Sequence, residues 1–227
     1  MRFGPDEGPV AVMALPLFEE ANRTRALAVA ILRALSRRGI AGVLPDLPGQ
    51  GESLVPLESV TVLHMQTAYE ALVASLAAQG RPAYGVSIRS GALIDASAPL
   101  HGRWHLAPQG GAALVRELTR VRQAELGPAR WLGERWWFGA EWPDDTPVAI
   151  AGNLLSPNLL TDLSLKEPFG EAGVPRRVVR LASDPAAADR HLEGAPVWRG
   201  SEPRADPALS QHFADDIVDW VSACENR

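Results

Sequence analysis

Pro82-Ala83-Tyr84-Gly85-Val86-Ser87-Ile88-Arg89-Ser90-Gly91-Ala92-Leu93-Ile94 is the stretch on which the reading of this 227-residue chain turns. Ala83 to Ile88 is an apolar run of strand length, and a helix is expected from Gly91 onward. Where a strand passes straight into a helix, the two elements nearly touch, so the positions flanking the tip of the turn must be small. Two registers of a Gly-x-Ser-x-Gly-like turn are possible. The first puts Ser87 at the tip of Gly85-Val86-Ser87-Ile88-Arg89, with the bulky Arg89 on a flank. The second puts Arg89 at the tip of Ser87-Ile88-Arg89-Ser90-Gly91, with small Ser87 and Gly91 on both flanks. The second satisfies the sterics better, and it replaces a hydroxyl by a guanidinium.

Toward the N-terminus, Val10 to Leu15 reads as a buried strand ended by Pro16. Asn22 can cap a helix running to about Arg38, with Leu27, Ile31, Ala34 and Leu35 on one face and Arg23, Arg33 and Arg37 outward. Gly39 ends it, and Ile40 to Leu44 begins a second strand. Strand, helix, strand at this spacing implies a right-handed crossover and a parallel sheet. Val62, Met65, Tyr69, Leu72, Val73 and Leu76 form the next helical stripe, stopped by Gly80. Beyond the quoted turn, Trp104-Ala107, Val148-Ala151, Val178-Leu181 and Pro196-Trp198 read as further strands. Helices are expected from about Ala112 to Glu125 and through Leu209, Phe213, Ile217 and Trp220. The fold class is therefore α/β: a single domain, 1–227, with a mostly parallel central sheet and helices on both faces. Segment 127–146 breaks the alternation with Trp131, Trp136, Trp137, Phe138 and Trp142. These aromatics form either a small lid over a pocket or a cover for the sheet edge.

Pro45-Asp46-Leu47-Pro48-Gly49-Gln50-Gly51-Glu52-Ser53 follows the second strand and resembles the loop that runs alongside the active site of α/β hydrolases. It lacks the third glycine and the helix opening of a dinucleotide fingerprint, which disfavours a dinucleotide oxidoreductase. Asp46 and Ser53 are expected to satisfy backbone groups. More specifically, several segments resemble the exosortase A system-associated hydrolases of the second type. They are Pro16-Leu17-Phe18-Glu19-Glu20-Ala21-Asn22-Arg23-Thr24-Arg25, the Arg-x-Gly-Ala-Leu of the turn, and Leu118-Thr119-Arg120-Val121-Arg122. Ala151-Gly152-Asn153-Leu154-Leu155-Ser156-Pro157, and Pro196-Val197-Trp198 followed by Glu202, complete the set in the family's order. The resemblance implies the α/β-hydrolase fold, an arginine at the nucleophile turn, and a role beside exopolysaccharide and protein-sorting genes. The chain departs from that family at Ser87, where glycine is usual, and at Pro16-Leu17, where a double proline is usual.

Chain order in this fold runs nucleophile, acid, histidine. Asp184 follows the strand Val178-Leu181 and stands where the acid belongs. The stretch Trp198 to Pro207, where the histidine belongs, holds none; His191 comes earlier, and His212 lies inside the last helix. A pocket guanidinium needs a carboxylate, because an unpaired buried charge costs several kcal/mol. Glu202 falls at the histidine position, so an Arg89–Glu202 ion pair is one expectation; a solvated Glu202 is the other. Oxyanion-type amides are expected from Ser90, at the turn, and from Leu17 or Phe18, after the first strand. Glu19 and Glu20 either bind a polar substrate or cap the next helix and attract Arg23 or Arg25.

The formal net charge of −5 argues against a nucleic-acid binder. No apolar run approaches the ~20 residues that cross a bilayer, and Met1 to Glu7 lacks the apolar core of a signal peptide. Cys224, the one cysteine, excludes an internal disulfide and a cysteine-rich metal site, and a reducing cytoplasm is the expected compartment. His64, His101 and His105 show no ligand spacing, so neither a metal nor a cofactor is expected. Two functions fit a partner that is a small-molecule or acyl substrate. One is an ester or thioester hydrolase using Ser87 with Asp184 and a displaced base. The other is a binding or accessory protein that keeps the fold and pocket without nucleophilic catalysis.

Overall fold

Val10–Ala14 is buried along its whole length, as a run without polar alternation requires of a strand covered on both faces. The computed structural model that contains it describes residues 1–127, 133, 136–137, 146–170, 173–200, 202–203 and 206–226. A short edge strand, Arg2–Phe3 (β1), precedes this central strand, β2. Helix α1 spans Glu19–Ser36, β3 Ala41–Val43, α2 Val62–Ala77, β4 Ala83–Ile88 and β5 Gly102–Leu106. Then come α3 at Gly111–Leu126, β6 at Val148–Ile150, β7 at Asn153–Leu155 and α4 at Pro157–Ser164. Strands β8, Arg176–Leu181, and β9, Arg190–Leu192, lead to α5 at Pro207–Glu225.

The main sheet runs β1-β3-β2-β4-β5-β8-β9, with every neighbour parallel except β1 on β3. Leu27, Ile31 and Leu35 of α1 and Phe213, Ile217 and Trp220 of α5 cover one face, against Met13, Val86 and Trp104. Met65, Tyr69 and Val73 of α2, Leu114 of α3 and Leu159 of α4 cover the other, against Val12. Each such side chain, fully buried, contributes about 1.5–3 kcal/mol. From β2 the chain crosses one way to β3 and then the other way to β4, so their carboxyl ends form the switch point where α/β sheets hold ligands.

Four elements differ from the sequence reading. Helix α1 begins at Glu19, three residues before Asn22, because Phe18 turns left-handed (φ 60°) and its carbonyl accepts the Ala21 amide. Val148–Ile150 is not in the main sheet. Ala151 and Gly152, at φ 47° and 77°, make a tight two-residue reversal that pairs it with β7 as a separate hairpin. Pro196-Val197-Trp198 is a 3-10 turn, Val197–Arg199, rather than a strand; the last strand is β9, whose polar Arg-His-Leu suits a short sheet edge.

The fourth difference follows the quoted turn. No α-helix grows from Gly91: a 3-10 turn, Arg89–Leu93, closes and the chain then bends through Asp95 to Pro99. The carbonyls a helix would have used are taken by buried Arg103, which donates to the carbonyls of Asp95, Ala96 and Ala98. Of segment 127–146, the described tryptophans anchor the second face: Trp136 donates to Thr119 of α3 and Trp137 to Thr161 of α4. Trp131, Phe138 and Trp142 lie outside the described residues.

Candidate functional site

Arg89 leaves β4 with φ 54°, the left-handed conformation of a strained reversal, and opens the 3-10 turn. A Cβ on Gly91 would stand 2.2 Å from the Ala14 carbonyl oxygen, so this flank tolerates only glycine. Ser87 lies two residues back inside β4, with no exposed surface, opposite Ala14 of β2 and His105 of β5. Its hydroxyl donates to the Asp95 carboxylate, which also receives His105 Nε2 at 3.0 Å. The carboxylate thus stands between hydroxyl and imidazole. A triad needs the imidazole in the middle, to take the hydroxyl proton. Arg103 Nε, 3.7 Å from Asp95 Oδ1, completes the buried cluster.

Arg89 is clamped from two helices. Its Nε and Nη2 lie 3.3 and 3.5 Å from the two Glu20 carboxylate oxygens, and Nη2 lies 3.6 Å from Glu117 of α3. The guanidinium carbon sits 5.7 Å from the centre of the Trp198 ring. The expected Arg89–Glu202 pair is absent: among the described residues the partners of Arg89 are Glu20 and Glu117, and Glu202 is exposed. The reason lies in the last strand, which ends at Leu192 and lets the turn at Val197–Arg199 bring Trp198, not Glu202, beside the guanidinium. Burial raises the pKa of Glu20 above the ordinary carboxylate value, an effect the charge and hydrogen bond of Arg89 only partly offset. The charge compensation anticipated for Arg89 exists, but its carboxylates come from α1 and α3.

Of the candidate oxyanion amides, that of Leu17 is taken by the Ser90 side chain: it donates to Ser90 Oγ at 2.9 Å, in a buried contact. Phe18 forms the left-handed cap of α1, while Glu19 pairs with Arg23 at 2.6 Å and is half exposed. Asp184 does follow β8. Burial acts to raise its pKa, but the Ala186 amide and the Arg180 guanidinium, 2.6 Å away, outweigh it and lower the value. His191 Nε2 faces the carbonyls of Asp184 and Ala186 at 3.1 Å, not the Asp184 carboxylate. His212 lines a separate hollow between β9 and α5, with no lining residue in common with the cleft at Arg89.

That cleft, of about 150 Å³, opens at the carboxyl ends of β4, β5 and β8. Arg89 and Ala107 form one side, Leu181, Ser183, Asp184 and Pro185 another, and Pro196, Trp198 and Arg199 the rim. Arg199 is exposed and has no ion-pair or hydrogen-bond partner among the described residues. Among those residues, too, no group of three or more His, Cys, Asp or Glu side chains fits a metal ion, and no helix is long and apolar enough to cross a membrane. Sequence reasoning missed Glu117, Trp198 and Arg199. Glu20 was singled out in the sequence, but its ion-pair partner is Arg89 rather than Arg23 or Arg25.

The sequence matches no family model and no curated protein. Solved structures do match over nearly the whole chain. Est1E from Butyrivibrio proteoclasticus, with ferulic acid bound, is 17% identical, with a TM-score of 0.60 over 96% of this chain and 91% of that one. An epoxide hydrolase from Vigna radiata is 16% identical, TM-score 0.57, over 98% and 93%. A soluble variant of the monoglyceride lipase from Saccharomyces cerevisiae is 13% identical, TM-score 0.55, over 99% and 91%. At such identities the likeness is one of architecture, and the chain has the α/β-hydrolase fold.

Proposed function

We propose that this protein binds a small molecule in the cleft of an α/β-hydrolase fold and does not carry out nucleophilic ester hydrolysis. The observation that supports the reading is the ion-paired Arg89 at the turn, with the nearby hydroxyl of Ser87 buried and bonded to Asp95. General-base activation requires an imidazole or equivalent within hydrogen-bond reach of the nucleophile. Among the described residues neither Ser87 nor Ser90 bonds an imidazole: Ser90 accepts the Leu17 amide, and Ser87 donates to a fully buried carboxylate that His105 also holds. The segments that resemble exosortase-associated hydrolases suggest an accessory role in exopolysaccharide or protein sorting, and the single Cys224 suits a reducing cytoplasm.

An ester or thioester hydrolase is the second reading, favoured by the fold's esterase and lipase neighbours. It requires Ser87 to leave Asp95 and reach the cleft. A serine-directed fluorophosphonate probe separates the two. The binding reading expects no labelling, and p-nitrophenyl ester turnover equal in the wild type and Ser87→Ala. Labelling that disappears in Ser87→Ala would overturn it. A protein that lost one triad member still retains roughly 10³–10⁴-fold acceleration over water, so the comparison is with the variant rather than with buffer.

A further inference from the structure

We infer that the cleft beside Arg89 is a site for a small monocarboxylate, gripped between the guanidinium groups of Arg89 and Arg199. The inference rests on the binding reading above and gives that site its ligand chemistry. Arg89 turns Nε and Nη2 toward Glu20 and Glu117, Nη1 has no acceptor among the described residues, and the side chain lines the cleft. Arg199 lines the same cleft, exposed and unpaired among the described residues. An arginine held in place by carboxylates keeps its fork oriented, and a second one free of partners is ready to receive an anion. The other acid of the cleft, Asp184, is already satisfied by Arg180 at 2.6 Å and does not compete for Arg199.

Charge and size narrow the ligand. Glu20 and Glu117 lie behind Arg89, and Asp184 lines the wall, so a single negative charge is tolerated better than the two of a phosphate. Ala107, Leu181, Pro196 and Trp198 supply apolar surface for a short alkyl stem. A volume of about 150 Å³ suits a small acid of a few carbons rather than a bulky ligand.

Calorimetric titration of the full chain with propionate, butyrate, propionamide and inorganic phosphate tests this. Propionate and butyrate are expected to bind saturably and propionamide at least tenfold more weakly. Arg199→Gln should weaken propionate at least tenfold, and Arg199→Lys should restore part of the loss; Arg199 is exposed, so a circular dichroism spectrum like the wild type's is expected for both. Equal binding of acid and amide, or propionate affinity unchanged in Arg199→Gln, overturns the carboxylate assignment while leaving a small-molecule site. So does phosphate binding more tightly than propionate. No saturable binding of either acid overturns the inference, whereas Ser87-dependent fluorophosphonate labelling overturns the reading beneath it.

Discussion

Arg89 and Glu20 are a pair in which the two partners have unequal stakes. Burial lifts the Glu20 pKa despite Arg89, so the site disfavours the glutamate's charge, while Arg89 still has Glu117 as a second carboxylate. A carboxyl whose folded-state pKa is raised contributes stability that is present below its ordinary value of 4.5 and is lost as pH rises through the raised value. Glu20→Gln keeps an acceptor for Arg89 and removes the titration. Its stability in urea should equal or exceed the wild type's at pH 7, and the difference should shrink by pH 4. A loss of more than about 1 kcal/mol at pH 7, the net value of an ordinary hydrogen bond, would show that the ion pair outweighs the burial. Arg89→Met does the reverse, leaving Glu20 and Glu117 together without the guanidinium between them, and should cost about 2–3 kcal/mol at neutral pH, somewhat less than a fully buried pair. Asp184 has the opposite sign. Its pKa is lowered, so its contribution holds above the ordinary value and fades as pH falls through the lowered one. Being about one-third exposed and paired with Arg180, it should be worth no more than about 1 kcal/mol in an Asp184→Asn comparison at pH 7. A triad acid would instead abolish turnover when replaced.

At the level of elements, the turn after β4 is the departure with the largest energetic consequence. Where a helix would satisfy its own carbonyls, Arg103 reaches across from β5 to those of Asp95, Ala96 and Ala98, and its guanidinium lies 3.7 Å from the centre of the Phe169 ring. Arg103→Met keeps the side-chain length, strips these bonds and leaves buried Asp95 with Ser87 and His105 as its carboxylate partners among the described residues. Breaking a buried ion pair from one side costs about 3–5 kcal/mol. Chemical denaturation should therefore show a loss of that order; a loss under about 1 kcal/mol would mean that water replaces the guanidinium. This arrangement was hidden in the sequence because Arg103, the second residue of β5, gives no local sign of reaching backward to the turn. The tight turn itself was legible, since Gly91 is needed where a Cβ would strike the Ala14 carbonyl. Short apolar runs likewise exposed β2, β3 and β4, and shorter apolar stretches marked the carboxyl-terminal parts of β5 and β8. That signal missed β9, whose residues are mostly exposed, and misplaced Val148–Ile150, because pairing partners are not encoded in a strand's own pattern.

Across the whole molecule, the α/β frame was readable because alternating strand and helix lengths permit few connections. The site was less readable, since the partners of Arg89 come from α1 and α3 and its neighbour Trp198 from the turn before α5. Only chain crossing at the switch point brings them together, and no local spacing records it. The cleft lies between elements contributed by both halves of the chain, from Arg89 and Ala107 to Leu181 and Arg199, so an occupant ties these segments together in the native state. An unfolded chain separates the two arginines and has no comparable affinity. Ligand present at about a hundred times its dissociation constant should therefore stabilise the fold by about 2.7 kcal/mol through mass action. For a domain of this length, each kcal/mol shifts the thermal midpoint by about 2–4 °C, giving a rise of about 5–10 °C with propionate. The same concentration of propionamide controls for general cosolute effects, and Arg199→Gln controls for binding elsewhere on the surface. A rise of equal size in all three would locate the stabilisation outside this cleft, whereas one confined to propionate and the wild type ties fold stability to the two guanidinium groups at its mouth.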